Sequence, residues 1–135
     1  MTDSPEIVDD PALRALIERV QWARETRGTL CIRGGDTKAF YGGGPRGEPM
    51  DMGGLLGISS YEPTELVVTV RAGTPLADLE AELAEKGQCL AFEPPRFAPG
   101  GHDSGTVPRG GTVGGMVAAG LSGPSRAAVG AVRDH

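Results

Sequence analysis

The strictest limit on what this chain can fold into lies in its last third. From residue 98 to 115 glycine recurs too often for any long regular element, and the stretch Thr112-Val113-Gly114-Gly115 runs on to Ala118-Ala119-Gly120 with almost no side-chain bulk. Thr112 reads as the cap of a short helix through Val113 to Gly120, because its hydroxyl can accept from the free N–H groups of a first turn. A helix so stripped of bulk predicts that something comes close to its backbone. The bias is regional: 22 glycines and 11 prolines gather in separate stretches without a repeat, so they mark loops and not low-complexity sequence.

Against this loop content the apolar supply is modest. Leu, Ile, Val and Phe number 28 of 135 residues, enough for one small core. A net charge of −5 and a pI near 5.0, with no basic run, argue against nucleic-acid binding, which depends on Lys and Arg displacing counterions. The N-terminus lacks a basic start followed by an apolar stretch, and no window approaches the 18 apolar residues of a membrane span, so a soluble cytoplasmic chain without direct membrane insertion is expected. Cys31 and Cys89 sit in apolar runs where a small buried thiol is the ordinary occupant, and no disulfide is expected.

Local signals place the elements. Asp10-Pro11 is a cap followed by a proline at the first helical position, and Leu13, Leu16, Ile17 and Val20 then recur at helical spacing until Gly28, predicting a helix over 11–26 with that stripe buried. A short strand over 29–33 runs into Gly34-Gly35. Strand fragments follow at 50–52 and 57–62, and a strong strand at 65–71 sets Leu66, Val68 and Val70 on one face. Thr74-Pro75 opens a second helix with Leu76, Leu79 and Leu83 buried and Glu80, Glu82, Glu85 and Lys86 on a solvated face, and Gly87 ends it. A strand over 88–92 stops at Pro94-Pro95. The order predicts an α+β fold, a small mixed sheet with flanking helices.

Two loops combine missing Cβ atoms with donors. In Arg33-Gly34-Gly35-Asp36-Thr37-Lys38 a strand ends in a loop whose glycines can take positive φ and aim successive N–H groups at an anion. Gly110-Gly111-Thr112-Val113-Gly114-Gly115 offers a hydroxyl and free N–H groups at a helix start. Either alone is also what a plain turn looks like. No GxxxxGK[ST] and no GxGxxG after a strand occurs, which disfavours a P-loop or Rossmann site. Two separate glycine loops flanking a pyrophosphate would suit an extended cofactor such as FAD.

The stretches IRGGDTKAFYG (32–42), YEPTELVVTVRAGTPLADLEAELAEKGQCLAFEPPRF (61–97) and TVGGMVAAGLSGPSRAAVGAVRDH (112–135) resemble the FAD-binding subunit of bacterial glycolate oxidases. That family sits in the flavoprotein class that includes vanillyl-alcohol oxidase and p-cresol methylhydroxylase. The resemblance implies that residues 1–135 are the N-terminal part of a p-cresol methylhydroxylase-type FAD-binding domain, truncated at its C-terminus. It implies an oxidoreductase taking a small 2-hydroxy acid, glycolate to glyoxylate, beside a second flavin subunit and an iron–sulfur subunit, through which the chain would sit peripheral to the inner membrane. It further implies that the loop from Gly34 through Gly35, Asp36 and Thr37 to Lys38 holds the pyrophosphate by its N–H groups. By the same match Thr112, Gly114 and Gly115 touch the cofactor from the opposite side, and Pro94 and the segment Ala119 to Gly123 line the flavin or ribityl region. Where covalent members of the class carry a histidine after the paired glycines, this chain has Asp36, so non-covalent FAD is expected. The resemblance names no catalytic residue.

The remaining polar residues carry less. Arg33 and Lys38 can neutralise phosphate charge, though the loop's N–H groups are the stronger candidates. His102 and His135 have no oriented partner in the sequence, and no metal-ligand spacing exists. Two other readings stay open at this point: a remnant or assembly module that does not retain FAD, and a generic binder of nucleotide or phosphate through the Gly34 loop alone.

Overall fold

A computed structural model describes residues 10–97 and 110–135. Helix α1 (Pro11–Thr26) starts where the sequence predicts: the Asp10 carboxylate accepts from Ala12 N at 2.9 Å and Leu13 N at 3.2 Å, with proline opening the helix. Its end differs from expectation. Arg27, not Gly28, takes the left-handed turn at φ 54, and Gly28 instead leaves room for the Trp22 ring. The apolar stripe is also rotated. Ala23 is buried and Leu13 and Leu16 are half-buried, but Ile17 and Val20 stand exposed. From this helix Arg19 reaches strand β2, bonding Glu48 Oε1 at 2.7 Å and Pro49 O at 2.9 Å.

Strands β1 (Leu30–Arg33) and β2 (Glu48–Asp51) pair in parallel, Leu30 opposite Glu48 and Arg33 opposite Asp51. A parallel pair needs a long connection, and here residues 34–47 supply it, so the first glycine loop hangs from the end of β1. Strands β3 (Ile58–Glu62) and β4 (Val67–Val70) form a separate antiparallel pair with an irregularity between Ile58 and Ser60. The α+β class is as expected, with the parallel and antiparallel pairings divided between two small sheets. Leu66 does not join β4. It sits in the turn at φ 57, 79% exposed, with its N–H bonded to Pro63 O, while Val68 and Val70 face inward. The turn's own hydrogen bonds override a side-chain pattern that read as strand.

Helix α2 (Leu76–Glu85) buries Leu76, Leu79 and Leu83 as predicted. Thr74 does not cap it. The Thr74 hydroxyl accepts from Gly57 N at 2.9 Å and donates to Gly57 O at 3.2 Å, pinning the start of β3. Gly87 ends the helix at φ 68, but residues 88–92 form no strand. The Gln88 amide explains this: its Oε1 accepts from Tyr61 Oη at 2.5 Å and its Nε2 donates to Pro63 O at 2.8 Å, so the segment is tied by a side chain to the β3–β4 turn. Cys89 is exposed and Cys31 half-buried, both free thiols, against the expected burial. Glu80 is not merely solvated either, since it forms an ion pair with Arg96. Phe92 completes a core with Leu76, Leu79, Leu83 and Met116, flanked by Ile58, Tyr61, Val68 and Val70.

Helix α3 (Val113–Ala119) is capped by Thr112, as the sequence predicts, and closed by left-handed Gly120; α4 (Arg126–Val129) and a 3₁₀ turn (Val132–Asp134) follow. A run of backbone bonds lays residues 111–114 beside residues 72–76: Leu76 N to Gly111 O, Val113 N to Thr74 O, and Gly114 N to Ala72 O, all 2.8–2.9 Å. Gly73 crosses Met52 so closely that a Cβ there would lie 2.1 Å from the Met52 carbonyl oxygen. This crossing and an Asp10–Arg71 ion pair join the α1/β1/β2 half to the β3/β4/α2 half. Among the described residues no helix is long and apolar enough to cross a membrane.

The cap bond to Leu13, then the Arg71 guanidinium, hold the Asp10 carboxyl below its ordinary value of 3.8. A depressed carboxylate contributes stability above its unfolded pKa, and that contribution disappears as pH falls through the folded value. Asp10→Asn keeps an acceptor for the cap and removes the charge. Its thermal midpoint should fall below wild type by a few degrees at pH 7, with the gap closing below pH 3.8. A gap that persists at low pH would rule out the ion pair as its source.

Candidate functional site

The two glycine loops meet. Gly34 lies against Thr112 so closely that a Cβ on it would be 2.6 Å from the Thr112 hydroxyl oxygen. That same hydroxyl accepts from Gly115 N at 3.1 Å, so one buried side chain caps α3 and seats the first loop. Residues Arg33 through Lys38 line a cavity of about 310 Å³ together with Thr112 and Gly115. Thr37, Lys38 and Thr112 also line a second cavity of about 270 Å³, whose other walls include Pro94, Phe97, Gly110, Gly111, Met116 and Leu121. The two cavities share the wall made by Thr37 and Thr112, both about 5% exposed.

Loop conformation differs from the expected device. Gly34 and Gly35 are not at positive φ; Asp36 is, at 53. Aspartate tolerates the left-handed region better than most residues, and a left-handed residue is what turns neighbouring N–H groups to one side. The glycine at 34 is there for close approach. Within the loop, Ala39 N bonds Asp36 O and Tyr41 N bonds Lys38 O, and among the described residues the N–H groups from Gly35 to Lys38 make no hydrogen bond. Four donors at the rim of a concave site fit a phosphate.

The charged residues are partly engaged. Arg33 Nη1 lies 3.5 Å from Asp36 Oδ2, and contact with the Cys31 side chain, then the Asp36 carboxylate, raises the Arg33 pKa above its ordinary value. Lys38 borders both cavities.

Other expected contacts sit differently. Gly114 borders neither cavity; a Cβ on it would lie 2.8 Å from Ala72, so its missing side chain serves the seam between α3 and the end of β4. Ala119 and Gly123 also lie outside both cavity walls, although Leu121 between them is in one. Gly123 is held by Glu93: its N–H donates to Glu93 O at 2.7 Å while Ser125 N donates to the Glu93 carboxylate at 2.9 Å. His135 packs its ring 5.6 Å from Phe92 and is in neither cavity wall, and His102 lies outside the described residues. Sequence reasoning missed Cys31, Tyr41, Phe97 and Met116 as cavity walls, while Leu121 falls inside the expected segment 119–123. Each stands within a few residues of a predicted contact, so proximity to the loops was the available signal.

Thr112→Ala removes the α3 cap and should lower stability by about 1 kcal/mol. Gly34→Ala adds a methyl against the same hydroxyl and should lower it by roughly 1–3 kcal/mol. Urea denaturation of the double variant should show a loss smaller than the sum by at least about 0.5 kcal/mol, because the clash partner is gone. Additive losses would mean that the two residues do not couple.

The FAD binding domain family matches residues 13–135. Glycolate oxidase subunit GlcE of Escherichia coli (strain K12) is 44% identical over 121 residues, which cover 90% of this chain and 32% of that protein. The chain thus spans about a third of the length of this relative. No solved structure gives a significant match. In the second loop the expected free donors are engaged, Val113 N by Thr74 O, Gly114 N by Ala72 O and Gly115 N by the Thr112 hydroxyl, so the unengaged N–H groups among the described residues lie in the first loop. Two converging glycine loops, a pair of adjoining cavities and a family match over nearly the whole sequence lead to one conclusion: the chain belongs to the FAD binding domain family.

Proposed function

We propose that this chain is the FAD-binding portion of an oxidoreductase subunit that takes a small 2-hydroxy acid, glycolate to glyoxylate. The observation that carries the cofactor reading is the contact of Gly34 with Thr112, which brings the anion-suited first loop and the start of α3 onto one cavity. The relative's name, glycolate oxidase subunit, supports the substrate. In this reading the chain works beside a second flavin subunit and an iron–sulfur subunit, on the cytoplasmic side and peripheral to the inner membrane through those partners.

FAD supplies the acceptor for a hydride from the substrate, and the chain supplies binding and orientation. The N–H groups of Gly35, Asp36, Thr37 and Lys38 receive the pyrophosphate, with Arg33, Gly34 and Lys38 shaping and charging that wall. Thr112 and Gly115 close the cavity from the α3 side. Pro94 borders the adjoining apolar cavity, which takes the flavin end, and Gly114, Ala119 and Gly123 hold the backbone that carries its other walls. The donor set suits this reading: an anion meets amides and cations, and a flat ring meets Pro94, Met116 and Leu121.

The attachment is non-covalent. Asp36 stands in the first loop where a histidine would be needed for a histidyl bond, and a carboxylate cannot form one.

Purified protein titrated with FAD, ADP and inorganic phosphate should prefer FAD over ADP by tenfold or more and show flavin absorbance after desalting. Equal affinity for FAD and ADP would reduce the site to a generic nucleotide binder, and colourless protein with no FAD affinity would sink the reading. Acid precipitation of the loaded protein should leave all flavin in the supernatant; flavin that stays with the pellet would disprove non-covalent binding.

A further inference from the structure

Residues 94–97 form one wall of the apolar cavity and are tethered at two points. On one side Arg96 forms an ion pair with Glu80 of α2. On the other, the Phe97 ring meets the Phe40 ring edge-on, centroids 5.2 Å apart and planes at 76°. Phe40 follows the first glycine loop and is 70% exposed, so this contact contributes little to the core. Its effect is positional. An edge-on partner fixes the plane of Phe97 at the wall of a cavity whose other sides are Pro75, Leu76, Pro94, Met116 and Leu121.

A fixed aromatic face at a cavity with apolar walls, and with Lys38 and Arg96 at its border, matches one ligand chemistry: a flat, electron-poor heteroaromatic ring attached to an anion. Aromatic faces favour offset or edge-on contact with such rings, and the gain exceeds simple area burial. We propose that Phe97, oriented by Phe40, is the aromatic wall against which the isoalloxazine ring of the cofactor lies, which makes this pair the element that separates FAD from ADP. This rests on the FAD reading above. Phe97 acts by contact with the ring; Phe40 is a positioning residue acting through Phe97.

Three variants of the chain test this by titration with FAD and with ADP, the half of FAD that lacks the flavin. Phe97→Ala should raise the FAD dissociation constant roughly tenfold and leave that of ADP within about twofold. Phe40→Ala should give a smaller loss in the same direction, with a changed visible circular dichroism band of the bound flavin. Phe97→Trp places an electron-rich indole at the contact and should quench bound-flavin fluorescence several-fold relative to wild type, a signal that a merely structural side chain cannot produce. Both positions lie outside the core, and far-ultraviolet circular dichroism checks that each variant is folded. Wild type that binds FAD together with unchanged FAD affinity in Phe97→Ala and unquenched flavin in Phe97→Trp overturns this inference alone. Equal losses for FAD and ADP overturn it too, since the effect is then not on the ring. Wild type that binds no FAD overturns both this and the function it rests on.

Discussion

The structure depends on the space that Gly34 leaves for Thr112. Both loops are irregular, and neither has enough apolar surface to hold its own conformation, so their relative position must come from a contact between them. A buried hydroxyl that caps α3 through Gly115 while filling the place of a Cβ on Gly34 supplies that contact in one side chain. The backbone bonds that lay residues 111–114 along residues 72–76 then carry the position into the core, because Leu76 and Met116 flank that seam and are both buried. Loop geometry and core packing are therefore one arrangement, and a change at the cavity wall is also a change in stability.

What could be read from the sequence followed from how local each signal was. Asp10-Pro11 and Thr112 needed only their own first turns, and both caps formed as expected. The buried stripe of α2 was legible because one face of that helix meets the whole core. Helix α1 formed over the expected residues, but the burial of its stripe was misread for the opposite reason: a two-stranded sheet offers it little surface, and Ile17 and Val20 stay exposed. Leu66 and residues 88–92 carried strand-like composition, but a turn's hydrogen bonds and the Gln88 amide decided them. In the first loop the sequence pointed to the glycines as the left-handed residues, and the structure puts Asp36 there instead. Glycine composition tells that a backbone is special, and it does not tell whether positive φ or close approach is the reason.

The electrostatics follow the same division between local and global. A chain of net charge −5 that takes an anionic cofactor has its overall field against it. Screening at physiological salt reduces that field beyond about 8 Å, so the balance is settled by groups inside the site. Of the cations at the cavities, Arg33 is engaged by Asp36 and Arg96 by Glu80, which leaves their charges partly compensated and their geometry fixed. Backbone N–H groups at the first loop have no such competitor among the described residues. They carry no counterion and need no side-chain ordering, since the left-handed Asp36 and the Gly34 contact already hold them. An acidic protein can bind an anion on these terms because the attraction comes from dipoles fixed by folding and acts only at contact distance, where the remote carboxylates have little reach.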